Sequence, residues 1–148
     1  PEASPTCFLP RIVGISQALD WCYAGSLIPA EEALRAGLLR ACVAPGDLIA
    51  EAERLARRYV EASAPVSVAM TRQMMWQMLG ADSPVAAHRV ESAAMRIRGA
   101  SADAREGISS FFERRAPHFP GLVSDSGPFD ALEAQSEGLW AAPARWPR

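Results

Sequence analysis

Apolar residues recur at helical spacing along most of the chain, and Pro, Gly and Ser cut that pattern into short pieces. Residues 6–13 predict a short helix, interrupted at Pro10 and closed by Gly14. Ser16 reads as the N-cap of a helix over 17–24, in which Ala18, Leu19, Cys22 and Tyr23 keep a 3, 4 spacing and Gly25 is the stop. A short extended piece at 26–29 leads into a helix that opens Ala30-Glu31-Glu32 and stops at Gly37; acids in a first turn complement the helix dipole. Residues 38–43 are apolar and partly β-branched, which predicts a strand or an extended stretch, and Pro45-Gly46-Asp47 makes a turn and cap.

The second half carries longer helices. Residues 48–63 form an amphipathic pattern, with Leu48, Ala52, Leu55, Ala56 and Tyr59 on one face and charges over much of the rest. Pro65 opens a helix over about 66–79 that bears Met70, Met74, Met75 and Met78, a stripe expected to pack in a core or against another helix. Ser83-Pro84 is an N-cap followed by proline at the first helical position, and it starts a helix over about 85–98. Ser101 opens a fourth, running to about Arg115. Beyond Pro117 and Pro120-Gly121 the composition turns to Ser, Gly, Pro, Ala and acids with Phe129, Trp140 and Trp146 isolated among them. We expect this tail to be extended or partly disordered, or else draped over the body, with 130–135 as a possible short helix. The domains expected are 1–63, 64–119 and the tail 120–148.

Length and composition narrow the function classes. At 148 residues with 49% apolar content the chain suits one domain with its own core, and a net charge of −2 gives no footprint for nucleic acid or an anionic membrane. All fifteen basic residues are arginine, so lysine chemistry such as a Schiff base is excluded for this chain, and a cation that meets a phosphate must be a guanidinium. The Arg57-Arg58 and Arg114-Arg115 pairs read as solvated helix faces. Cys7, Cys22 and Cys42 are too scattered for a disulfide framework or a zinc site and are expected as buried thiols in a reducing compartment; no metal site is expected. No apolar run approaches the ~20 residues a membrane span needs, and no signal peptide is visible, so a cytoplasmic location is expected.

The residues that carry chemistry emerge from a resemblance. Pro1-Glu2-Ala3-Ser4-Pro5-Thr6-Cys7-Phe8-Leu9-Pro10-Arg11-Ile12-Val13-Gly14 resembles Pro-Asp/Glu-x-Gly-Gly/Ser-Ser/Thr-x-x-Leu-Pro-Arg-x-x-Gly, a segment of the enoyl-CoA hydratase/isomerase (crotonase) family. Further similar stretches follow in family order: Ala18-Leu19 with 24–33, Gly37-Leu38-Leu39 with Val43, Ala64-Pro65 with 69–72, and 101–119 against Ser-x-Asp-x-x-Glu-Gly-Ile/Val-x-Ala-Phe-x-Glu-Lys-Arg-x-Pro-x-Phe. The resemblance covers residues 1 to about 119 and leaves the tail without a counterpart. Ser4-Pro5 stands where the family has a small pair, and Arg114 where it often has lysine.

The resemblance implies a mainly α chain: the C-terminal helical, trimerisation region of a ClpP/crotonase-like α/β fold with one or two short extended segments, the N-terminal ββα spiral core being absent. It implies an acyl-CoA enzyme that moves a proton on an enoyl-CoA thioester while two backbone N–H donors, both in the family's N-terminal half, stabilise the enolate. By family position Glu2 is the catalytic carboxylate, Phe8 and Leu9 line the substrate pocket, and Met95, Arg96 and Arg98 contact CoA, in the family that of a neighbouring subunit. An acid at Glu2 tilts the reading towards double-bond isomerisation over hydration, since the two glutamates of the hydratase pattern lie upstream. No cofactor beyond the CoA thioester substrate is implied, and the partners are an acyl-CoA and copies of the chain in a trimer or hexamer. The alternative is a truncated, inactive helical module that only self-associates.

Overall fold

Local signals place most helix ends. The computed structural model describes residues 5–142, and all regular structure within them is helical. Helix α1 (Pro5–Val13) runs straight through Pro10, whose missing N–H the expected break relied on. The ring forfeits one backbone bond, but the next turn still closes, Gly14 N–H donating to Pro10 O at 3.1 Å. Helix α2 (Ile15–Ala24) begins one residue later and takes Gly14, at φ 82°, as its cap in place of the expected Ser16. A left-handed φ at that joint lets two helices meet with no linker, which a residue with a Cβ adopts only at a cost. Helix α3 (Ala30–Arg35) follows, its first turn carrying Glu31 and Glu32.

Residues 38–43 run without regular structure, and no strand occurs among the described residues. The apolar, β-branched stretch has no neighbouring strand to pair with, so propensity alone leaves it as loop. A single 3-10 turn at Pro45–Asp47 precedes α4 (Leu48–Val60), then α5 (Pro65–Met78), α6 (Pro84–Gly99), α7 (Ala102–Glu113) and α8 (Gly127–Gln135). Ser83 and Ser101 cap α6 and α7 as expected, their hydroxyls accepting from Val85 N–H and Ala104 N–H, both at 3.2 Å.

The chain divides into two compact units, residues 1–53 and 54–148, the division falling within α4. In the first unit α1 packs on α2, and burial is slight: Ala18, Trp21 and Ala33 are enclosed. The Trp21 indole N–H donates to Glu32 Oε1, tying α2 to α3. Cys7, Cys22 and Cys42 are all exposed, against the expectation of buried thiols.

The second unit has the larger core. Val66 and Met70 of α5, Val90, Ala93 and Ala94 of α6, and Phe129, Leu132 and Trp140 from beyond residue 126 form one buried cluster, with Met74 and Met78 packed against it. Met75 points away from it and is exposed. Val66, Met70, Val90 and Leu132 are essentially fully enclosed, each contributing about 1.5–3 kcal/mol relative to an exposed side chain. Part of the tail joins the core: where composition favours extended chain, α8 forms because Phe129 and Leu132 fall three apart on one helical face and find α6 to cover them.

One buried carboxylate joins the ends of this unit. Asp103, 3% exposed, accepts from Arg98 Nη2 at the end of α6 and from the backbone N–H of Gly121 at 2.8 Å; Arg98 Nε also donates to Ser67 Oγ of α5 at 3.3 Å. A Cβ on Gly121 would lie 2.3 Å from Asp103 Oδ2. Gly121→Ala is expected to destabilise the second unit by about 1–3 kcal/mol, because the paired carboxylate has no free rotamer to retreat into. Urea denaturation followed by circular dichroism measures this, and an unchanged midpoint would show that the close approach carries no energy.

Candidate functional site

The candidate residues fall on two separate stretches. Glu2 lies outside the described residues. Phe8 and Leu9 are adjacent on α1, Phe8 exposed and Leu9 half-buried. Successive helical residues point about 100° apart, so one wall of a pocket takes at most one of them face-on. Arg11, of the same Leu-Pro-Arg motif, turns back on its own helix, Nη1 lying 2.5 Å from Cys7 O and 3.2 Å from Cys7 Sγ.

Arg96 and Arg98 lie in the last turn of α6 and Met95 just ahead of it. Met95 and Arg96 are exposed. Arg98 turns inward to Asp103 and Ser67, so its guanidinium acts as a brace between three helices. Position along the helix placed all three residues in one neighbourhood; which of them faces inward was decided by Asp103, five residues on.

The motif at 101–119 is built as a folding device. Ser101 caps α7, Asp103 holds Arg98 and Gly121, and Glu106 receives both Nη1 and Nη2 of Arg115, the latter at 2.9 Å, together with the backbone N–H of His118 at 2.6 Å. Arg115 also bonds Glu113, so the Arg114-Arg115 pair is only in part the solvated face expected of it. Arg114 adopts φ 54° at the C-terminus of α7, which reverses the chain and brings Arg115 back to Glu106. Neither the Glu106–Arg115 fork nor the Asp103–Gly121 bond was announced locally, since the first needs the chain reversal at Arg114 and the second a partner 18 residues on.

These bonds shift the titration of Glu106. The Arg115 guanidinium and the His118 N–H both favour the carboxylate and lower its pKa from 4.5 to about 2. A recess of about 480 Å³ lies by the α5–α6 turn, lined by Gln77, Met78, Gly80, Ala81, Asp82, Ser83, Ala86, Gly138 and Leu139. Its one charged lining residue among those described is Asp82, the wrong sign for the phosphates of a CoA ester.

Comparison with known proteins adds what the geometry lacks. A family model described as enoyl-CoA hydratase/isomerase matches residues 1–122. An enoyl-CoA hydratase from Alternaria alternata is 34% identical over 133 residues, covering 89% of this chain and 44% of that protein. The (E)-benzylidenesuccinyl-CoA hydratase of Thauera aromatica is 38% identical over 117 residues, covering 76% and 43%. A crystal structure of a probable enoyl-CoA hydratase/isomerase from Mycobacterium abscessus superposes with a TM-score of 0.75 at 31% identity, over 82% of this chain and 49% of that one. The chain spans less than half the length of the curated relatives it matches.

Because the folded-state pKa of Glu106 is depressed, its contribution to stability is present above about pH 4.5 and is lost as pH falls from there towards about 2. Glu106→Gln is expected to lower the urea midpoint at pH 7 and to fall less steeply below pH 4.5. Parallel pH profiles for the two proteins would show that the Arg115 fork does not couple protonation to folding.

Proposed function

Since this chain belongs to the enoyl-CoA hydratase/isomerase family, we propose that it is the C-terminal part of an enzyme that transfers a proton on an enoyl-CoA thioester, with Glu2 as the acid/base. The family match over residues 1–122 carries this reading. The thioester acidifies the proton at C2 of a 3-enoyl chain. A carboxylate whose pKa is raised by an apolar pocket removes it and returns it at C4, so the double bond moves while the acid is regenerated. The enolate formed in between is held by the family's two backbone N–H donors, which the resemblance places ahead of residue 1. In this reading Phe8 and Leu9 of α1 supply apolar walls of the acyl pocket, and the acyl-CoA is substrate with no further cofactor.

Met95 and Arg96, exposed at the end of α6, are the residues proposed to meet CoA, in trans in a trimer or hexamer of this chain. Arg98 is proposed to set their position through its brace to Asp103. The exposed Ile108, Phe111 and Phe112 of α7 support a subunit contact: the two rings lie 5.8 Å apart edge to face, and each is 78% exposed.

Hydration is the second reading. The Alternaria alternata and Thauera aromatica relatives, both hydratases by name, favour it. In that case two upstream glutamates hold the water and Glu2 is an auxiliary carboxylate. Glu2→Gln in the complete protein separates the two. Isomerisation of a 3-enoyl-CoA is expected to fall by about 10²–10⁴-fold, the worth of a positioned general base, with the thermal midpoint unchanged. Isomerisation at the parent rate would overturn Glu2 as acid/base, and hydration that persists in the same variant would assign the chemistry to the upstream pair. Arg96→Ala is expected to raise KM for the CoA ester several-fold with kcat little changed, the signature of lost uniform binding in steady-state kinetics.

A further inference from the structure

The match to the family model ends at residue 122, yet three of the buried core residues of the second unit, Phe129, Leu132 and Trp140, lie beyond it. We propose that residues 126–142 are a hinged strap: a segment seated on α5 and α6 by two independent locks, which opens as a unit without unfolding the helices beneath and so governs whether their apolar face is covered.

The first lock is apolar. Phe129 and Leu132 of α8 are buried against α6, and Trp140 is 2% exposed in the same cluster as Val66, Met70 and Val90. The Trp140 indole N–H has no hydrogen-bond partner, so the ring is held by packing alone. The second lock is polar. Gln77 of α5 grips the backbone of Ala141 at two points: Nε2 donates to the carbonyl at 2.7 Å and Oε1 accepts from the N–H at 3.1 Å. This is how a side-chain amide reads an extended peptide, and it spends the amide's donor and acceptor on one residue. A bulky anchor beside a two-point backbone grip is the arrangement of a bound peptide ligand, here supplied in cis.

A turn delivers the anchor. Glu137 at φ 54° and Gly138 at φ 79° follow α8 in succession, with Leu139 N–H bonded to Ser136 O at 2.9 Å. The buried Ser136 hydroxyl lies 2.9 Å from Glu133 O and 3.1 Å from Trp140 O, closing the loop on itself. A non-glycine residue in the left-handed region costs free energy, so the seated turn is held by its neighbours rather than by local preference. The other end is a joint with little attachment: Leu122, Val123, Ser124 and Asp125 are exposed. On the far side of that joint the Asp103–Gly121 bond fixes the body.

Each lock is tested by its own variant. In the complete protein, Gln77→Met removes the grip while keeping an unbranched side chain, and Trp140→Ala removes the anchor; Trp140→Phe keeps a ring and discards only the unpaired N–H. Amide hydrogen exchange read by mass spectrometry is expected to rise about tenfold or more over 127–142 in Gln77→Met and Trp140→Ala, with α6 and α7 within twofold of the parent and Trp140→Phe parent-like. Binding of the dye ANS is expected to rise in the same two variants as the apolar face opens. Equal acceleration in α6, α7 and 127–142 would overturn the proposal by making the segment part of one cooperative core. Unchanged exchange over 127–142 in Gln77→Met would overturn the polar lock, and unchanged dye binding in Trp140→Ala would overturn the covering role. None of these readouts depends on acyl-CoA turnover, so they stand apart from the catalytic reading.

Discussion

The second unit hangs on the need to satisfy one buried carboxylate. Asp103 is removed from water at the start of α7, and an ion of that size left unpaired would cost several kcal/mol. Its partners come from three places: Arg98 closes α6 onto α7, Ser67 joins through the same guanidinium, and Gly121 brings the chain back after α7 has ended. Each bond fixes a direction of the backbone as well as an energy. The carboxylate needs Gly121 close, Gly121 cannot carry a side chain there, and the tail that follows is thereby launched towards α6.

This gives the C-terminal motif a physical meaning distinct from catalysis. Ser101, Asp103, Glu106 and Arg115 look, as residue types, like a site: a hydroxyl, two carboxylates and a guanidinium close in sequence. In the structure each is consumed by the fold, as a helix cap, a brace or a fork. The depressed pKa of Glu106 belongs to the same class, since it comes from an ion pair that closes α7 and not from an apolar pocket. The chemistry of the family is therefore sought at the other end of the chain, at Glu2, and binding at the exposed end of α6. Arg98, on the same stretch of α6 as the exposed Met95 and Arg96 proposed to meet CoA, is itself spent on the ion pair with Asp103.

Burial is unequal between the two units. In the first, the enclosed residues are few and small apart from Trp21, and Ile15, Tyr23 and Leu27 stand more than 60% exposed. In the second, core residues are supplied from three helices and from the segment after α8. The contribution of Phe129, Leu132 and Trp140 shows that a stretch with no counterpart in the motif can still complete a core, because burial depends on apolar area and fit rather than on membership of a recognised pattern.

Much was legible in the sequence itself. Ser83-Pro84 and Ser101 marked the starts of α6 and α7, Gly25 the end of α2, and the ordered motif matches over 1–119 announced the family. These signals are local, because a cap or a periodic face is set by residues within about one helical turn. Where local reading failed, a longer-range influence prevailed: Gly14 displaced Ser16 as a cap because the joint to α1 needed a left-handed residue, and the three cysteines, expected inside, lie exposed in a unit that encloses few side chains. By itself the sequence determined helical character, family and the identity of the candidate groups. The tertiary structure alone decided that Arg98 braces rather than faces outward, that Gly121 answers Asp103, and that Trp140 ends in a core. The reason is that each of these depends on a partner distant along the chain, 18 residues away for Gly121 and 64 for the Gln77–Ala141 grip, and no window of sequence contains both sides of such a contact.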